Sequence, residues 1–130
     1  MTQSSTIASP NKEIAIFIGE LFSFNNSLKL FHWQITGEGS YAKHIALDEA
    51  ITSLSSVIDR ITETTIALMG ELPILIPETR IPNNITKHVS DFYHYIEMHR
   101  DLFPENFSLS IIDDYQETLQ QLSYKLVRLQ

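Results

Sequence analysis

Cysteine is absent from this 130-residue chain. That excludes a disulfide framework and any thiolate-bound metal, and it fits a reducing compartment. No stretch approaches the roughly 20 consecutive apolar residues of a membrane span. The opening MTQSSTIASP carries neither a basic residue nor an apolar run, so it does not read as a secretion signal. The expectation is a soluble, cytoplasmic protein. Positive charge is scarce: nine Lys and Arg stand against 16 Asp and Glu, a formal net charge of −7. Such a surface disfavours nucleic acid, whose binding needs Lys and Arg to displace counterions, and it favours cations as partners. No phosphate-cradling glycine loop, nucleophile motif or Glu-x-x-His motif occurs. Glycine, present four times, and proline, present five times, act as punctuation between long periodic segments.

Those segments are helical. Residues 1–9 are polar and expected to be loose, leaving residues 10–130 as one domain. Ser9-Pro10 reads as an N-cap followed by proline in the first helical position. From there Ile14, Phe17, Ile18, Leu21, Leu28 and Phe31 recur at helical spacing, predicting helix A to about Ile35. The breaker run Gly37-Glu38-Gly39-Ser40 ends it, and Ser40 is a candidate cap for helix B, Tyr41–Met69, which stops at Gly70. Residues 70–83, GELPILIPETRIPN, hold three prolines and cannot form a regular helix. Fully stretched, these 14 residues reach about 46–50 Å, enough to run back along a helix B of about 43 Å. Helix C is predicted from a cap at Asn84 to Phe103. Helix D is predicted from Ser108 or Ser110 to Leu129, with Ser110 and Asp113 as a capping pair. Four helices with one long connection between B and C predict an all-α four-helix bundle with the ferritin-like crossover, helix C parallel to helix B.

Five residues that can bind metal gather about the A–B hairpin: His32 on helix A, and His44, Asp48, Asp59 and Glu63 on helix B. Counted from His44 at 100° per residue, Asp48, Asp59 and Glu63 lie at about 40°, 60° and 100°, one stripe of the helix. His32 and His44 face each other across the short turn. Asp48 and Asp59, however, are separated by roughly 16 Å of helix, while metal–ligand bonds are about 2 Å long. One chain therefore cannot bring all five to one ion. An antiparallel copy of helix B can. His44 opposite the partner's Glu63, and Asp48 opposite the partner's Asp59, share a single two-fold axis between Ser53 and Leu54. A two-fold dimer is the commonest oligomer, and small residues Ser53, Ser55 and Ser56 let two helices approach near that axis. Two imidazoles and three carboxylates suit Fe(II), with zinc and manganese as alternatives. On helix C, His88, Asp91, His94, Glu97 and His99 read as a polar solvent-facing set, although Asp91 and His94 have the spacing of a second site.

The stretch Phe31-His32-Trp33-Gln34-Ile35-Thr36-Gly37 resembles the helix A signature of Dps-type mini-ferritins, a leucine-histidine-tryptophan run closed by glycine. His44-x-x-x-Asp48 and Asp59-Arg-Ile-Thr-Glu63 are similar in type and spacing to the iron ligands of that family. The resemblance covers about residues 28–66. It implies a ferroxidase that oxidises Fe(II) with peroxide or oxygen at an inter-subunit site and stores the product, with His32, His44, Asp48, Asp59 and Glu63 as iron ligands. It also implies a homo-oligomer, a dodecamer in that family, and a place for Trp33 beside the site. The chain lacks the lysine-rich tail with which that family engages DNA, so DNA binding is not expected. The run Ser40–Asp48 and Tyr124-Lys125-Leu126 also resemble a smaller ferritin-like family of tailed bacteriophages. That likeness implies a host-cytoplasmic or virion protein, and it keeps open a non-catalytic, structural role.

Overall fold

A computed structural model describes residues 10–129; the expectations for residues 1–9, including Ser9 as a cap, lie outside them. The described chain is all-helical: α1 (Pro10–Gln34), α2 (Ser40–Met69), α3 (Ile85–Glu97), a 3-10 turn (Arg100–Leu102) and α4 (Asn106–Arg128). No described helix is long and apolar enough to cross a membrane. The helices exist because each presents a stripe that must be covered. Ile14, Phe17, Ile18, Leu21, Phe24 and Leu28 bury from α1; Leu47, Leu54, Ile58 and Ile61 from α2; Ile111, Ile112, Tyr115, Leu119, Leu122 and Leu126 from α4. Each such side chain contributes about 1.5–3 kcal/mol on burial. α3 offers less, with Val89 and Ile96 fully buried. It compensates with rings: Phe92 stacks on Phe24 at 4.1 Å between centroids, and Tyr95 stacks on Phe17 at 5.8 Å.

The side-chain pairings give the packing. α1 and α2 form an antiparallel hairpin, held near its open end by Asn11 Nδ2 donating to the Met69 carbonyl (3.3 Å) and midway by Asn25 Nδ2 donating to the Ile51 carbonyl (3.4 Å). α4 lies antiparallel to α2, with Arg60 paired to Asp114 and Lys125 to Glu49. α4 also packs against α3, where Gln116, buried between them, donates to Glu97 and accepts from Arg100. Residues 70–83 are irregular, as their prolines require, and they lie against α1. Ser23 Oγ sits 3.0 Å from Thr79 Oγ1, and the backbone of Leu75 presses on Gly19 so closely that a Cβ there would overlap its carbonyl oxygen. Leu72 is buried, whereas Leu75 and Ile76 remain exposed.

Several sequence-based boundaries move. Ser40 is the first residue of α2 and makes no cap. The capping position belongs to Gly39, whose φ of 78° is open to glycine and costly to other residues. Asn84 does cap α3, accepting from the Lys87 amide at 3.0 Å. α3 stops at Glu97, six residues short of the predicted Phe103. Pro104 bars its predecessor from helical geometry, and Phe103 instead turns inward to meet Phe17 edge-on at 5.5 Å. α4 starts at Asn106 without a side-chain cap, so Ser108 and Ser110 lie inside the helix and the expected Ser110–Asp113 capping pair is not formed.

Candidate functional site

At the closed end of the α1–α2 hairpin, Gly37 and Gly39 both take positive φ, 94° and 78°. The Ser40 amide donates back to the Gly37 carbonyl (3.1 Å), which makes the reversal tight. The last turn of α1 and the first turn of α2 are thereby held level. His32 and His44 stack with centroids 3.9 Å apart and planes 22° from parallel. Asp48, one turn further along α2, places Oδ1 3.5 Å from His32 Nε2. The expected trio of His32, His44 and Asp48 is thus brought together.

The protonation states follow from the contacts. His44 Nδ1 lies 3.2 Å from the His32 carbonyl oxygen. A carbonyl only accepts, so Nδ1 carries a proton and donates, and in the neutral ring the lone pair falls on Nε2. His32 is 4% exposed, and neither of its ring nitrogens has a hydrogen-bond partner among the described residues. Burial holds its pKa below the ordinary 6.5, helped by the positive charges of His44 and Lys29 and opposed by the Lys29 backbone and Asp48. The ring is screened from water by immediate neighbours near the end of the bundle rather than deep inside it. A buried imidazole that resists protonation and sits beside a second imidazole and a carboxylate has the chemistry of a metal ligand.

Lys29, one turn before His32, escaped the sequence reading. Its Nζ lies 3.5 Å from the same Asp48 oxygen and 5.6 Å from the centroid of Trp33. Its spacing of three residues from His32, on the same side of a helix, was the available signal. Trp33 is 62% exposed, its ring centroid 6.4 Å from that of His32.

Asp59 and Glu63 are exposed on α2 and do not join the trio. Arg60, the nearest candidate to neutralise Asp59, is engaged with Asp114 at 2.9 Å. Among the described residues, no group of three His, Asp or Glu side chains is arranged to hold a metal ion within the single chain. The second constellation, on α3, is dispersed. Asp91 pairs with Lys87 (2.6 Å), and His99 Nδ1 donates to the Tyr95 carbonyl (2.6 Å). His88 is half-buried, stacked on Phe24 with Nε2 2.7 Å from Ser27 Oγ. The polar face expected on α3 is therefore corrected at His88 and His99, which pack against α1 rings; the aromatic residues of α1 offered that possibility in the sequence.

No curated protein and no solved structure matches the chain. Residues 32–126, which open on His32 and run through both histidines and all three carboxylates of the α1–α2 constellation, match a family of unknown function, DUF5856, and the chain belongs to that family.

Proposed function

We propose that this protein is a Dps-like ferroxidase and iron-storage protein, oxidising Fe(II) with peroxide or oxygen at a site shared by two subunits. The observation that carries this reading is His32: buried, its pKa held down by that burial, stacked on His44 and with Nε2 3.5 Å from Asp48 Oδ1. Two imidazoles and a carboxylate suit a divalent ion of intermediate softness, iron first, zinc and manganese next. His44 is oriented for this by its bond to the His32 carbonyl, the outer contact that a ligating histidine ordinarily has. Asp59 and Glu63 supply the remaining charge from a neighbouring chain across a two-fold axis through α2, where the carboxylates stabilise the Fe(III) product. The same face exposes Tyr41, Ile45 and Ile66, apolar area that a partner helix covers. The pairings of the bundle support a ferritin-like crossover. Met69, Leu75 and Thr79 meet Asn11, Gly19 and Ser23 in order, so the linker climbs alongside α1. His88 and Tyr95 then meet Ser27 and Phe17, which sends α3 down antiparallel to α1 and parallel to α2.

The test is oxidation of Fe(II) followed by absorbance after anaerobic addition of peroxide. The unmodified protein accelerates it over buffer; His44→Ala and Asp59→Ala each abolish the acceleration. Refolding the two variants together restores about a quarter of it, because half the dimers are mixed and each mixed dimer rebuilds one of its two sites. Acceleration unaffected by either substitution overturns the reading. The Lys29–Asp48 pair favours a second reading, in which a lysine ammonium stands where a metal would and the bundle is a structural or interaction protein, phage-encoded, with a vestigial site. In that case neither variant changes iron chemistry, and light scattering reports a dimer rather than a closed shell.

A further inference from the structure

The end of the bundle opposite the histidines holds a second feature, about 27 Å away along α1, counted from Ile14 to His32. A cavity of about 470 Å³ opens where the start of α1, the end of α2 and the start of α4 meet. We infer that this cavity binds a small amphiphilic cation, with an apolar body inside and an ammonium group at the mouth. The volume falls within the range of small-molecule sites, roughly 300–1,000 Å³. Its walls are apolar, formed by Ile14, Leu68, Met69, Leu102 and Phe103.

Charge selects the head group. Glu13, Asp101 and Glu105 line the cavity, and no lysine or arginine does. None of these three carboxylates has an ion-pair partner among the described residues. The starts of α1 and α4 both border the space, and a helix N-terminus by itself attracts anions. Each such end carries about half a positive charge, and three carboxylates outweigh the two together. A second observation points to an occupant. Ser108, in the first turn of α4 and lining the cavity, is 1% exposed, and its hydroxyl has no hydrogen-bond partner among the described residues. Buried hydroxyls are ordinarily paired, so this one leaves polar capacity in the wall that a water retained beside the ligand can take up.

The experiment uses the full chain and three probes of equal length: hexylammonium, hexanol and hexanoate, each followed by saturation-transfer NMR and calorimetry. Hexylammonium is expected to bind saturably at about 1 mM or tighter, the scale for so small a ligand. It should bind at least about fivefold better than hexanol, the worth of one modest ion pair, and hexanoate should not bind. Leu68→Trp, at a half-exposed position that tolerates a larger ring, narrows the cavity and weakens binding. Converting Glu13, Asp101 and Glu105 to their near-isosteric amides brings hexylammonium down to the level of hexanol and tests the charge with little change to the cavity's shape. Absence of saturable binding overturns the inference. Equal binding of hexylammonium and hexanol does so too, as does binding that is unchanged in both the tryptophan and the amide variants.

Discussion

Replacing Gly19 with alanine should destabilise this protein, although the same change usually helps a helix. In an open helical position, Gly→Ala gains about 1 kcal/mol, because alanine restricts the unfolded chain and covers the backbone. Gly19 is buried in the middle of α1, and a methyl group there would overlap the Leu75 carbonyl oxygen, with the Leu75 carbonyl carbon 3.1 Å and Pro77 Cδ 3.6 Å away. The obstacle is backbone, so no side-chain rotation relieves it; the linker must lift. Overpacking of this kind costs about 1–3 kcal/mol. Lifting the linker also strains the Ser23–Thr79 hydrogen bond, worth about 0.5–1.5 kcal/mol, and loosens Leu72. Against the helical gain, the net loss is about 1–3 kcal/mol, or about 4 °C in Tm per kcal/mol for a chain of this size. Urea denaturation followed by circular dichroism, at matched protein concentration, measures it. A variant more stable than the parent by about 1 kcal/mol would refute the packing of residues 70–83 on α1.

Acidification should weaken the fold in a defined window. His32 and His88 both have folded pKa values below 6.5, lowered first by burial, so the unfolded chain binds protons that the folded chain refuses. Their contribution is complete above pH 6.5 and is lost as pH falls toward their folded values; urea midpoints from pH 8 to 5 should drop, and the drop should shrink in His32→Gln/His88→Gln. Lys29→Met frees Asp48 from a competing ammonium, and Co(II) affinity, read by its visible absorption, should rise by up to about fivefold. Asp59→Ala and Glu63→Ala remove exposed carboxylates, so stability should stay within about 0.5 kcal/mol of the parent while Co(II) binding is lost.

Helix identity was legible because the strongest signals were local. Apolar periodicity and the glycines at 37, 39 and 70 set α1 and α2 within a residue or two of their observed ends. The trio of His32, His44 and Asp48 was legible for the same reason: a tight turn and one helical turn are short-range geometry. What was not legible depended on distant contacts. α3 ended early because Phe103 found Phe17, more than eighty positions earlier in the chain. His88 looked solvated until Ser27 and Phe24 were placed beside it. Gly19 gave only the hint that a lone glycine inside a helix has a packing reason. Asp59 and Glu63 are exposed and join no group of three metal-binding side chains among the described residues; under the proposed function a second chain completes their site.

The path of residues 70–83 has a consequence for synthesis on the ribosome. α1 emerges first, yet its outer side is completed by Leu75 and Thr79 and its aromatic side by His88, Phe92 and Tyr95. The nascent hairpin of α1 and α2 therefore waits, with Phe17 and Phe24 uncovered, while roughly thirty further residues are added at about 5–20 per second. For those seconds the chain is a natural client for a chaperone, and the wait would lengthen with every residue inserted into the connection.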